Sequence, residues 1–510
     1  MKAVVRYINP KRTLGILFLI ACVLLNACAA SNQVSSQAEA TLPQEGSAPQ
    51  NTAPATGGTP APSPIPFTPR PAYSPGELVD YVVQTGDTLP ALAVRFNTST
   101  EEILTANTII PSNATTLPPG MPMKIPIYYA PFWGNPFHII PDSLFINGPA
   151  QIGFNTQEFV DQHPGWLKNY VEYAADENRN GANIVDYMAL NYSVSPRLIL
   201  ALLEYKSGAL TKAEIPADAQ TYPLGYTEPN HHGVFMQLSW AANMLNNGYY
   251  GWRKGDIKTF DLLDGNIQRP DPWQNAATVS LQYLFSKLFS PDDFARAISQ
   301  DGIAKTYTDL FGEAKPTAQP LIPGSLAQPP LRFPFAAKQT WAFTGGPHTS
   351  WGQGEPYAAL DFAPPVTGGG CNPADETAIA MADGVIARSD PAEVVLDLDG
   401  DGEERTGWVI YYLHIATNGR ILAGVKVKAG DPIGFPSCEG GEATGTHVHI
   451  ARKYNGEWIP ATGVLAFNLE GWVAQAGDQP YQGTMTRFSR TITASQYSDG
   501  SSHIESQGQP

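Results

Sequence analysis

The chain has 510 residues, three or four domains' worth at about 150 residues each. Lys and Arg total 31 against 47 Asp and Glu, a formal charge of −16, which argues against a nucleic-acid partner because that needs a basic face. Apolar residues make up 43%, enough for several cores; no run of 18 apolar residues occurs, which excludes a multi-span membrane protein, and four cysteines exclude a disulfide-rich scaffold.

Residues 1–27 read as an export signal. Lys2, Arg6, Lys11 and Arg12 precede an apolar run from Leu14 to Leu25, short for a spanning helix. The run ends in Leu25-Asn26-Ala27-Cys28, which resembles a bacterial lipobox; the resemblance implies lipidation of Cys28 and a membrane-anchored lipoprotein at the cell envelope. The bland alternative is an ordinary signal peptide with an incidental cysteine; both place the mature chain outside the cytoplasm. Residues 28–76 are a spacer rich in Pro, Ser and Thr, with too little apolar surface to offset its ordering entropy. Its prolines stiffen it, and it could reach on the order of 100 Å.

Residues 77–129 come next. Tyr81 and Val83 alternate as a strand, Gly86-Asp87 turns, and Asp87 or Thr88 can cap a helix carrying Leu89, Leu92, Ala93 and Phe96. Thr98 or Thr100 caps a second helix, and Met123 to Pro126 forms a second strand. This βααβ pattern, with its Gly-Asp-Thr-Leu turn, Asn107 and final Ile-Pro, resembles a LysM domain. The resemblance implies binding of N-acetylglucosamine-containing glycans, mainly peptidoglycan, along Gly86, Asp87, Thr88 and the loop at Ile109 and Ile110. Turn and capping chemistry is the alternative role of the same residues.

Residues 130–325 show helix-period apolar patterns: Ile184, Tyr187, Met188 and Tyr192 on one helix, Pro196 to Gly208 on the next, Ala276 to Phe289 on a later one. Val194 to Gly208, with Gly233 to Leu238, resembles the lysozyme-like lytic transglycosylases. That family places a catalytic Glu before the Ser of this motif; here Lys206 precedes Ser207. A lysine is a poor proton donor for glycosidic cleavage. The region therefore reads as a scaffold or glycan-holding groove, and a glycan-cleaving domain using Glu204 or Glu228 is the alternative. His231-His232 reads as a surface loop before a metal site.

From 326 to 494 the pattern changes to short strands split by Gly, Pro and Asp, an antiparallel β architecture. Four of the nine histidines fall here in three motifs. Gly345-Gly346-Pro347-His348 is followed thirteen residues on by Asp361; Tyr411-Tyr412-Leu413-His414 is the second; Gly445-Thr446-His447-Val448-His449 the third. On a strand, His447 and His449 share one face. Two imidazoles and a carboxylate leave a fourth tetrahedral position open, the pattern of catalytic zinc. Together the motifs resemble the M23 zinc metallopeptidases, the lysostaphin-like murein endopeptidases, and the thirteen-residue gap is nearer their β-lytic branch. The resemblance implies zinc (Zn2+) on His348, Asp361 and His449, with His414 and His447 flanking the reacting water, and cleavage of the stem-peptide cross-links of peptidoglycan. It also favours a disulfide between Cys371 and Cys438, two free buried thiols being the alternative.

Asp397-Leu398-Asp399-Gly400-Asp401-Gly402 resembles half a calcium loop, but Trp408 stands where a final Glu would be needed, so an acidic hairpin turn is expected. Residues 495–510 are polar and expected to be a disordered tail. The expectation for the whole is a multidomain envelope hydrolase: small βααβ domain, mainly α middle domain, antiparallel β peptidase. A non-catalytic peptidoglycan-binding lipoprotein that regulates other hydrolases, and a glycan-cleaving enzyme, are the alternatives.

Overall fold

Alternating burial builds the first strand, β1 (Glu77–Val82): Val79 and Tyr81 point inward, Leu78, Asp80 and Val82 outward. The computed structural model to which it belongs describes residues 73–128, 130, 133–366 and 369–509. The export segment 1–27, Cys28 and the spacer as far as residue 72 lie outside the described residues. Helix α1 (Leu89–Arg95) starts at Thr88, whose hydroxyl accepts from the Ala91 amide. Helix α2 (Thr100–Ala106) is capped by Ser99, not by Thr98 or Thr100 as expected, because Ser99 and Glu102 form a reciprocal capping box. Strand β2 (Pro122–Ile127) pairs antiparallel with β1, Val79 opposite Ile125. Asn107 ties the end of α2 to β2, donating to Ile103 and Lys124 carbonyls and accepting from the Lys124 amide. Tyr81, Leu92, Phe96, Ile103 and Ile125 close a small core, each apolar side chain contributing about 1.5–3 kcal/mol on burial.

The middle region is mainly helical. Its principal helices are α3 (Gly181–Tyr192), α4 (Pro196–Ser207), α5 (Gly233–Lys254), α6 (Ala276–Ser286) and α7 (Ile303–Phe311). Ser195 caps α4 and Pro196 takes its first position, where the missing N–H costs nothing. Along α5, Val234, Leu238, Ala241, Ala242, Leu245, Tyr249 and Trp252 recur at helical spacing and are buried. Two short hairpins, Val171–Ala174 with Glu177–Asn180 and Phe260–Asp261 with Ile267–Gln268, interrupt the helices. Among the described residues no helix is long and apolar enough to cross a membrane.

The C-terminal region is antiparallel β. Besides a short pair, Ala378–Ile379 with Pro432–Gly434, its strands are β3 (Thr340–His348), β4 (Ala359–Ala363), β5 (Gly384–Asp390), β6 (Ala392–Asp397), β7 (Trp408–Ile415), β8 (Lys426–Val427), β9 (Val448–Tyr454), β10 (Glu457–Trp458), β11 (Asn468–Leu469), β12 (Trp472–Ala476), β13 (Gly483–Arg487), β14 (Arg490–Thr493) and β15 (His503–Glu505). One nine-stranded sheet runs β8-β5-β6-β7-β9-β4-β3-β15, with β10 attached to β9. A four-stranded sheet, β11 to β14, covers part of it. Residues 495–510 are thus not a disordered tail. Strand β15 pairs with β3, Ile504 opposite Trp341, and Ser506, Gln507 and Gly508 hydrogen-bond the Glu470 carboxylate. Buried Ile504 supplies the apolar anchor that the polar composition around it conceals.

Both faces of the central strands are buried. On β7, Ile410 and Tyr412 join the core of the C-terminal region, while Val409, Tyr411 and Leu413 join the core of the helices. The same parity holds on β9, where Val448 and Ile450 face one way and Ala451 the other. Helices and sheet therefore share one continuous hydrophobic interior. All of this belongs to one compact unit, Arg70–Pro510.

Candidate metal centre

Register brings the three motifs together. His449 on β9 lies directly opposite Asp361 on β4, and β3 runs antiparallel on the other side of β4, with Gly345 opposite Asp361 and His348 opposite Ala359. A Cβ on Gly345 would collide with the Asp361 carboxylate, so glycine there leaves room for it. His449 and Asp361 share strand parity with Ala451 and Ala359, which places them on the sheet face that the helices cover.

His348 Nε2 lies 3.2 Å from Asp361 Oδ1, His449 Nδ1 lies 3.3 Å from it, and the two nitrogens are 3.0 Å apart. All three side chains are buried. His447 Nε2 is 3.9 Å from the same oxygen, and the His414 and His447 rings stand 4.3 Å apart. Each imidazole has its other nitrogen on a backbone carbonyl. His348 Nδ1 donates to Gly346 (2.8 Å), His414 Nδ1 to Glu439 (2.8 Å), His447 Nδ1 to Gly445 (2.8 Å) and His449 Nε2 to Ser350 (3.2 Å). A carbonyl can only accept, so the proton of each neutral ring sits on the nitrogen facing it. Lone pairs of His348 Nε2 and His449 Nδ1 then point at Asp361 Oδ1, which is buried and accepts no hydrogen bond.

Burial favours the neutral form of two of these rings. Burial pushes His414 down to about 3, helped by His447 and His449, and burial also lowers His449. Burial alone would raise the Asp361 carboxyl; the imidazoles of His348 and His447 outweigh it and hold it well below the usual range. Three electron-rich atoms facing one another at 3.0–3.3 Å are mutually repulsive unless a cation sits among them. Four-coordinate zinc with ligands at about 2.0–2.1 Å sets neighbouring donors about 3.3 Å apart. The donor set and its spacing fit a divalent ion.

Tyr481 is a site residue that the sequence motifs missed. Its ring stacks on His348, centroids 4.1 Å apart, and its backbone pairs with Gly346 and Pro347. It comes from the β12–β13 connection, so only the tertiary pairing announces it. Cys371 and Cys438 are joined in a disulfide beside the site.

Elsewhere the expected residues do other work. Asp87 is buried, receives Tyr81 Oη and the Gln84 amide, and pairs with Arg95 at 2.7 Å. Gly86 lies against the Arg253 guanidinium, Thr88 caps α1, Ile110 enters the small core, and Ile109 stands exposed. Glu204 accepts from the Leu210 and Thr211 amides and the Thr211 hydroxyl, so its carboxylate is already occupied. The Lys206 ammonium lies over the Phe289 ring. His232 Nε2 bonds Tyr222 Oη, and the His231 carbonyl accepts from Gln237. Asp397 binds the amides of Asp399, Gly400 and Gly402, while burial and Asp397 push Asp399 up to about 6. Those bonds fold the segment into a tight turn between β6 and β7, with carboxylate oxygens of Asp397, Asp399 and Asp401 within 4.8 Å of one another.

The geometry defines a β-sheet domain with a His/Asp/His group that could hold one metal ion, joined to a LysM domain and a helical domain. Residues 81–126 match the LysM domain family, and residues 138–323 match the LasA N-terminal domain family. The helical region, lysozyme-like in its motifs, thus matches a different family. Protease LasA of Pseudomonas aeruginosa is a homologue, 25% identical over 344 residues covering 63% of this chain and 75% of LasA. The β-lytic metalloendopeptidase of Achromobacter lyticus is another, 30% identical over 193 residues covering 35% of this chain and 47% of that enzyme. Among solved structures, a deep-sea M23 metalloprotease, pseudoalterin, aligns with 33% of this chain and 96% of its own at 24% identity, with a TM-score of 0.29.

Proposed function

We propose that the chain is a zinc-dependent endopeptidase of the cell envelope, cutting the peptide cross-links of peptidoglycan. The observation that carries this reading is the convergence of His348 Nε2, His449 Nδ1 and Asp361 Oδ1, with each of the four imidazoles bonded through its other nitrogen to a backbone carbonyl. Two nitrogens and a carboxylate oxygen suit zinc better than magnesium or calcium. Held by His348, Asp361 and His449, the ion supplies a Lewis acid for water and for the scissile carbonyl. His414 and His447 do the proton work. One Nε2 takes a proton from the water as its oxygen bonds the carbonyl carbon; that proton then goes to the leaving amine as the C–N bond breaks. The other Nε2 keeps its lone pair and accepts the water's second O–H, which orients the nucleophile. Tyr481 walls the site on the His348 side.

The homology to Protease LasA and a β-lytic metalloendopeptidase supports peptide-bond hydrolysis, and the LysM match supports a glycan contact by that domain, away from Gly86, which Arg253 covers. Asp87 shapes the turn at Gly86 from within. The export segment and Cys28 imply a lipid anchor on the extracytoplasmic side of a membrane.

Purified full chain incubated with peptidoglycan tests this reading. The expected result is new free amino groups, abolished by a zinc chelator and by His449→Ala, restored in the parent by zinc. New sugar ends without new amino groups, or no products with zinc present, would overturn it.

A further inference from the structure

Between His348 and Asp361 the chain makes a loop that is held partly from outside the sheet domain. Within the loop, the Ser350 amide donates to the Pro356 carbonyl (3.1 Å) and the Thr349 hydroxyl to the Trp351 carbonyl (3.2 Å). Further hold comes from α5 of the helical domain. Asn243 Oδ1 accepts from the Gln353 amide at 2.7 Å, and Asn247 Oδ1 accepts from the Glu355 amide at 2.8 Å. Lys254 Nζ reaches the Glu355 carboxylate at 2.7 Å. Asn243, Asn247 and Lys254 stand at i, i+4 and i+11, a single stripe of the helix. The loop presses on that stripe closely. A Cβ on Gly352 would collide with Asn243 and Tyr192, and one on Gly354 with Asn247; both glycines also hold positive φ, +74° and +83°. Trp351 lies between Tyr187 of α3 and Tyr411 of β7, 6.4 Å from each ring.

The loop in turn reaches the metal centre. Its Ser350 carbonyl receives His449 Nε2 at 3.2 Å, the bond that keeps the lone pair on Nδ1. Bonds of this kind fix tautomer and ring orientation, and losing one costs about 10–100-fold in metal affinity. The path is therefore contiguous: α5 amide side chains, loop amides, the Ser350 carbonyl, the His449 ring.

We propose that Asn243 and Asn247 of the helical domain are positioning residues for the metal centre, holding the 350–356 loop so that Ser350 orients His449. This rests on the reading of His348, Asp361 and His449 as metal ligands. The helical domain is then part of the site's scaffold, and the sheet domain alone holds its metal less well.

The test is metal affinity of the full chain, measured with Zn2+ against a chromogenic chelator, beside far-UV circular dichroism and the unfolding midpoint. Asn243→Leu with Asn247→Leu removes both acceptors and is expected to weaken zinc binding about 10-fold or more. Asn243→Asp with Asn247→Asp keeps an acceptor oxygen at each place and should bind within about threefold of the parent, a rescue that a mere packing role would not give. Tyr249→Phe loosens the same helix without touching the loop and should leave the affinity unchanged. If the double Leu chain does not fold, each single Leu substitution takes its place, with a smaller loss expected. A folded Leu variant that binds zinc like the parent overturns the proposal alone. A parent that binds no zinc overturns it together with the metallopeptidase reading.

Discussion

Lys453 sits where the sheet meets the helices and is 4% exposed. Its ammonium donates to the Leu190 carbonyl at 3.0 Å and lies over the Trp458 ring at 4.3 Å. Burial lowers it to about 8 from an ordinary 10.5, with Glu404 opposing. A depressed lysine costs stability below its folded pKa, where it is charged in both states. Between about 8 and 10.5 the unfolded chain binds more protons, so stability rises with pH across that window. The rise is on the order of 3 kcal/mol at most. Urea unfolding at a series of pH values, parent against Lys453→Met, should show the parent gaining on the variant from pH 8 to 10.5 and nowhere below. A constant difference would mean that the ammonium is solvated in the fold.

The disulfide Cys371–Cys438 acts at the level of elements. It ties the loop after β4 to the loop before β9. On one side Gly370 accepts from the Thr446 amide, next to His447; on the other the Glu439 carbonyl orients His414. Closing 67 residues restrains the unfolded chain by about 4 kcal/mol in the chain-entropy limit. The proposed ligands His348, Asp361 and His449 come from strands, not from these loops. Cys371→Ser with Cys438→Ser should therefore lower the unfolding midpoint and reduce peptide hydrolysis about 10-fold while zinc affinity stays near the parent's. Equal losses in affinity and hydrolysis would show that the bond holds the ligands themselves. What the sequence made legible follows the same local logic. The βααβ turn chemistry and the Pro196 helix start are short-range signals, and each is present in the fold; His447 lies one residue before β9, yet its ring reaches the same Asp361 oxygen as His449. Tyr481, Asn243 and Asn247 carry no such signal, since their roles come from contacts more than a hundred residues away. Strand β15 was illegible for a related reason: one buried Ile504 and a pairing with β3 outweigh a polar composition.

At the scale of the molecule, one guanidinium joins the three domains. Arg253, near the end of α5, meets Glu457 of the sheet domain through Nε (3.1 Å) and Asp142 of the helical domain at 3.2 Å. Its other nitrogens donate to Tyr249 Oη and to the Thr85 carbonyl of the LysM domain. Gly86 permits that approach, since a Cβ there would meet the guanidinium. The LysM domain adds Arg95, paired with Asp87 and lying over the Trp252 ring at 4.6 Å. Burial raises the Glu457 carboxyl even with Arg253 beside it, so this junction works only as a complete set. Arg253→Met would leave Glu457 and Asp142 buried without a counter-charge, a loss of about 3–5 kcal/mol. Because the lost contacts join domains, calorimetry of the variant should resolve a separate early transition for the LysM domain where the parent shows one. Adding Glu457→Met should recover part of the loss, since an apolar pair no longer strands a charge. A variant within about 1 kcal/mol of the parent, melting in one step, would mean that apolar packing alone joins the domains.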